Sequence, residues 1–186
     1  MDLGCAKQLP WAMTGMDGRE TQSYKSYTMC GTPEYMAPEL LSGHGHDQCI
    51  DNWALGCLAF ELAVGRTPFA HSGDAPTAIF RRIARCRGGP QFPEAFDGKA
   101  GYDGAPKAFV KRLVVRDPHA RLGATATERM RDDPYFDGLD FAALEAQTLD
   151  APWKPDPGSN VAPLVVGGGL KKADPYAGDA EPFEEW

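Results

Sequence analysis

The chain has 186 residues, enough for one ordinary domain and little more. Hydrophobic side chains make up 42% and charged ones 24%, which excludes disorder throughout, while 21 glycines and 16 prolines demand long irregular segments between the ordered parts. A formal net charge of −7 excludes a general affinity for nucleic acid or anionic membrane and favours basic partners.

Residues 5–29 are polar and glycine-bearing, without a sustained period of 2 or 3.6, and read as a long loop. Asp51 is placed to cap a helix in which nearly every side chain from Trp53 to Val64 is apolar, with Gly65 positioned to stop it. A helix apolar on all sides belongs in a core. The same run carries Glu61 and falls well short of the ~20 residues that cross a bilayer, so no membrane span is expected. Over 77–87, Ile79, Phe80, Ile83 and Ala84 recur at helical spacing among Arg81, Arg82, Arg85 and Arg87, which predicts an amphipathic surface helix. Gly88-Gly89-Pro90 opens a loop reaching Gly104, and Phe109, Val110, Leu113 and Val114 then mark a third helix over 105–115. Short helices are predicted near 128–131 and 141–149, and the Pro-, Gly- and Asp-rich chain from Ala151 onward reads as an extended tail or disorder. No internal repeat is visible.

Cys5, Cys30, Cys49, Cys57 and Cys86 are odd in number and form no C-x-x-C pair, and residues 1–20 show no secretory signal. Both observations lead to the expectation of a cytoplasmic protein with unbridged thiols. His44, His46, Asp47 and Cys49 crowd one stretch, but their spacing matches neither C-x-x-C nor H-E-x-x-H, and a variable loop accounts for them without metal.

The most informative stretch is Cys30-Gly31-Thr32-Pro33-Glu34-Tyr35-Met36-Ala37-Pro38-Glu39. It resembles the end of a protein kinase activation segment of the serine/threonine type, with Ala37-Pro38-Glu39 matching the A-P-E landmark. Order and spacing support it. Asp51-Asn52-Trp53-Ala54-Leu55-Gly56 follows where that family begins a D-x-W-x-x-G helix, and Arg121 lies where the arginine partner of the A-P-E glutamate belongs. Asp2-Leu3-Gly4 is similar to D-F-G with leucine for phenylalanine. Gly65-Arg66-Thr67-Pro68-Phe69, the stretch from Arg116-Asp117-Pro118 to Arg121-Leu122-Gly123, and Tyr135-Phe136-Asp137-Gly138 resemble the AGC group, the cGMP- and cAMP-dependent kinases most of all. Phe183-Glu184-Glu185-Trp186 is similar to the aromatic motif that ends the AGC tail, although no Ser or Thr follows Ser159 to serve as the usual tail phosphosite.

The resemblance implies a mainly α fold: part of a kinase domain over 1–136, with an activation segment at 2–39 and a helical lower lobe at 40–136, then an AGC tail at 137–186. It also implies ATP and Mg2+ as cofactors, with Asp2 as metal ligand, and Thr28 as the activation-loop phosphosite. Met29, Thr32, Pro33, Glu34, Met36 and Glu61 would face a basic peptide substrate. For Met29, Pro33 and Met36 ordinary core packing serves as well, and Glu61 is open to a purely structural pairing with Tyr35. Glu39 and Arg121 would form a buried ion pair, Asp51 and Trp53 would hold the fold, and Phe183 and Trp186 would dock on the small lobe. The glycine-rich loop, the β3 lysine, its glutamate partner and the H-R-D-x-x-x-x-N loop are not in this chain. It is therefore expected to be a kinase fragment lacking the N-lobe sheet, inactive by itself, with the N-lobe of a longer protein as a partner and an inserted loop over 10–24. The alternative is a non-catalytic docking module.

Overall fold

A computed structural model describes residues 4–9, 25–94, 104–152 and 154. They fall into two units, one ending at Leu139 and the other beginning at Asp140. Among the described residues the first unit is helical without a sheet, and its only extended pairing is an isolated antiparallel bridge between Ser26 and His46.

The described residues of that unit form four α-helices: α1 (Pro38–Ser42), α2 (Cys49–Val64), α3 (Pro76–Arg85) and α4 (Ala105–Leu113). Proline stands in the first turn of α1, α3 and α4, where its missing N–H costs nothing. Single turns of 3-10 helix occupy Pro33–Tyr35, Pro118–Ala120, Thr127–Met130 and Pro134–Phe136. The sequence pattern located α3 and α4 to within two residues at each end, because their apolar positions recur every three or four residues.

Helix α2 departs from expectation in two ways. It starts at Cys49, and Asp51 lies inside the first turn instead of capping it. The N-terminal N–H of Cys49 is satisfied by the Asp47 carboxylate at 2.9 Å. The helix is also not buried all round. Trp53, Cys57 and Phe60 are fully enclosed, whereas Leu55, Leu58 and Leu62 are exposed along another face. Gly65 closes the helix in the left-handed conformation at φ 85°, its N–H donating to the Glu61 carbonyl.

The core forms where α2 crosses α4. A Cβ on Gly56 would stand 2.6 Å from Val114 Cγ2 and 2.8 Å from Leu113 Cβ, so glycine is what lets the two segments approach. Around this crossing Trp53 stacks on Phe69, Phe60 tilts against Phe92, and Phe109 stacks on Tyr135 with Phe136 edge-on. Ile79 and Ile83 of α3 complete the same cluster. Each such side chain contributes roughly 1.5–3 kcal/mol on burial.

The second unit contains α5 (Phe141–Glu145), capped by Asp140, whose side chain accepts from the Ala143 N–H at 3.0 Å. This helix is shorter than the 141–149 expected, since Gln147 adopts φ 57° and breaks the ladder. No helix among the described residues is long and apolar enough to cross a membrane.

Candidate functional site

Glu39 and Arg121 are 82 positions apart in sequence and meet in a bidentate pair, with Arg121 Nη1 donating to Oε1 at 2.6 Å and Nη2 to Oε2 at 2.8 Å. The Arg121 side chain is entirely enclosed. Its remaining donors go to the carbonyls of Val115 (2.8 Å), Cys49 (2.8 Å) and Arg116 (3.5 Å), so every N–H of the guanidinium has an acceptor. The guanidinium carbon lies 5.1 Å from the Trp53 ring centroid, and the same indole stacks on Phe69. Arg121 thus ties α1, the start of α2 and residues 115–121 together. A buried charge held this way is costly to strand, and losing one partner of such a pair removes about 3–5 kcal/mol.

From that anchor the chain runs back over the segment 25–37. The Ser26–His46 bridge, with N···O distances of 2.7 and 2.9 Å, fixes its upstream end. Thr28 and Thr32 are exposed, and the Thr28 N–H donates to the Ser26 hydroxyl at 3.3 Å. Exposure leaves the Thr28 side chain open to modification. The 3-10 turn at Pro33–Tyr35 then aims the Tyr35 phenol at Glu61, to which it donates a hydrogen bond. That hydrogen bond, followed by burial, pushes the Tyr35 hydroxyl up to about 12, and the charge of Glu34 adds to the same effect. Two carboxylates therefore act at one phenol. Glu61 Oε2 is taken by Tyr35, while Oε1 has no partner among the described residues.

The structure separates the three apolar positions. Met29 is 54% exposed and Met36 is 6% exposed, turned inward beside Ala37, with Pro33 half-buried between them. The Asp51 N–H donates to the Gln48 carbonyl at 3.0 Å, and its carboxylate has no hydrogen-bond partner among the described residues. Although its side chain is exposed, nearby protein thins its hydration and raises its carboxyl above the usual carboxylate range, which His46 partly offsets. Asp2, Phe183, Trp186 and the stretch 10–24 lie outside the described residues.

One cluster escaped the sequence pattern. Asp47, Cys49 and His119 bring a carboxylate oxygen, a sulfur and an imidazole nitrogen within 4.8 Å of one another. Magnesium carried by ATP does not fit these groups, because it takes an octahedral oxygen shell and the cluster offers soft sulfur and nitrogen donors. It is the only cluster of three such groups among the described residues, so no step of nucleotide chemistry is assigned to them.

The same ordered segment, from the anchored Glu39 back to Thr28, is covered by a match to the family described as "Protein kinase domain", which spans residues 1–136. The chain belongs to the protein kinase family. Its curated relatives include the human ribosomal protein S6 kinase alpha-4, 40% identical over 136 residues, which are 70% of this chain and 17% of that protein. The serine/threonine-protein kinase gad8 of Schizosaccharomyces pombe is 36% identical over 132 residues, 70% of this chain and 21% of its own length. The serine/threonine-protein kinase YPK2/YKR2 of Saccharomyces cerevisiae is 35% identical over 131 residues, again 70% of this chain and 18% of the relative. The kinase fragment thus spans about a fifth or less of these relatives. They are serine/threonine kinases of AGC type, and none of the three is a cyclic-nucleotide-dependent kinase.

Proposed function

We propose that this chain is the activation-segment and lower-lobe part of an AGC-type serine/threonine kinase. The complete protein would transfer the ATP γ-phosphate, with Mg2+, to Ser or Thr in basic substrates. The observation that carries this reading is Glu61. Its Oε2 is spent on Tyr35, whose hydroxyl also feels the Glu34 charge, and Oε1 is left on a half-buried carboxylate of α2 that touches, through Tyr35, the segment clamped by the Glu39–Arg121 pair. A carboxylate so placed binds a substrate guanidinium well. The resemblance of 65–69 and 116–123 to cyclic-nucleotide-dependent kinases supports that subgroup, and the five free cysteines support a cytoplasmic setting.

The exposed leucines of α2 bear on what completes the molecule. Leu55, Leu58 and Leu62 form an apolar stripe, which favours a further kinase segment packed against it in the longer protein, and equally suits a docking module that receives another partner. Reading the transcript upstream of Met1 separates the two. A continuous frame encoding the β3 lysine and H-R-D elements is expected, and an in-frame stop overturns the enzyme reading. In the protein expressed from that frame, Glu61→Gln should raise KM for an arginine-rich peptide about tenfold, the loss of ~1.4 kcal/mol from one charged hydrogen bond, with kcat nearly unchanged. An unaltered KM would remove Glu61 from the substrate site. The isolated chain should show no magnesium-dependent ATP binding, and micromolar binding would contradict its incompleteness.

A further inference from the structure

Cys49 is the first residue of α2 and is 1% exposed. Asp47 lies two residues earlier and is half-buried, while His119 is exposed on the 3-10 turn Pro118–Ala120, seventy positions along the chain. These three groups share no spacing motif. The fold brings them together through two fixed points. The Cys49 carbonyl is bound by Arg121 Nη1 at 2.8 Å, and Arg121 lies just beyond His119. The turn carrying His119 is itself pinned by Asp117, whose Oδ1 accepts the His119 backbone N–H at 3.0 Å.

From this arrangement we propose that Asp47, Cys49 and His119 form a zinc site. Thiolate, imidazole and carboxylate are each donor types that zinc accepts, and its three-residue sites keep water at the fourth position. Tetrahedral coordination at ordinary zinc bond lengths puts such ligand atoms about 3.3–3.6 Å apart. The three atoms lie within 4.8 Å of one another, so binding has to draw them together by about an ångström, and the exposed His119 side chain has room to move. The supporting shell is present as well. Asp47 already accepts the Cys49 backbone N–H at 2.9 Å, which fixes the carboxylate beside the sulfur. Burial and the neighbouring Asp47 carboxylate push the Cys49 thiol up to about 12 in the metal-free chain, with Arg121 offsetting only part of this, so the ion itself must displace the thiol proton. Exposure of His119 provides the entry path. On binding, the thiol proton leaves to solvent and a Zn–S bond forms, with no change of oxidation state. The bound ion would staple the start of α2 to residues 117–121, on the flank of the Glu39–Arg121 pair.

The test uses the full 186-residue chain titrated with Co2+ and then with Zn2+. One equivalent of cobalt should produce a thiolate-to-cobalt charge-transfer band and strong tetrahedral d–d bands, both abolished when zinc displaces it. Zinc should also raise the thermal midpoint. His119→Ala removes an exposed side chain and should leave the fold intact, yet lower zinc affinity at least ~10-fold and cancel the thermal shift. Cys49→Ser should lose the charge-transfer band, and the Cys5→Ser/Cys30→Ser double variant should keep it. Absence of that band in the parent chain, its loss in the Cys5/Cys30 variant, or zinc affinity unaffected by His119→Ala would each overturn the site.

Discussion

The two sides of α2 carry similar side chains and meet opposite fates. Trp53, Cys57 and Phe60 are enclosed by Phe69, Phe92 and the α4 segment, whereas Leu55, Leu58 and Leu62 stand in solvent at 36%, 43% and 74% exposure. Apolarity alone does not decide burial. What decides it is whether another element arrives, and on the enclosed side Gly56 lets Val114 and Leu113 come close enough to do so. The contrast teaches that the leucine face contributes little to the stability of this chain, while the opposite face carries most of it.

The sharpest way to break that contrast is to truncate one residue on each side. Phe60→Ala should cost about 3–5 kcal/mol in urea unfolding, and Leu62→Ser should fall within about 0.5 kcal/mol of the parent. Equal losses would mean that both faces are packed in solution. Gly56→Ala adds a methyl at a 2.6 Å approach and should cost about 1–3 kcal/mol by overpacking, read by the same unfolding curve. A neutral result would show that α2 and α4 separate easily.

A smaller effect sharpens the role of the Tyr35–Glu61 contact at the edge of this helix. The Tyr35 hydroxyl is raised to about 12 in the folded chain, above its ordinary value near ~10. Its contribution to stability is therefore complete below about pH 10 and is lost as pH climbs toward about 12. Alkaline absorbance titration should reveal one late-ionising phenol that Tyr35→Phe removes, together with part of the alkaline loss of stability. A titration identical in parent and variant would mean that the contact is not made.

Much of this was legible beforehand, and for different reasons at different places. Helices α3 and α4 were visible because a one-sided helix writes its period into the chain, as Ile79/Ile83 and Phe109/Val110/Leu113 do. In α2 the period is absent, so the helix was visible but its covered side was not. The sequence leaves the start of α2 ambiguous because both Asp47 and Asp51 are capping residue types, and only the backbone geometry distinguishes them. Single turns such as Pro118–Ala120 and Pro134–Phe136 are too short to display any period. The Glu39–Arg121 contact came from family resemblance alone, since no local pattern links residues so distant. Nothing in the sequence marks His119. It joins Asp47 and Cys49 only because Arg121 holds the Cys49 carbonyl, a tertiary contact with no trace in spacing.

The Glu39–Arg121 clamp is what holds the segment bearing Thr28, Tyr35 and Glu39 in position, and a double-mutant cycle tests it most directly. Glu39→Gln, Arg121→Met and the double variant are compared with the parent by urea unfolding. Each single change should destabilise strongly, and the double variant should lose less than their sum, with a coupling of about 1–3 kcal/mol. Additive losses would show that the carboxylate and the guanidinium do not depend on each other, contrary to the geometry described.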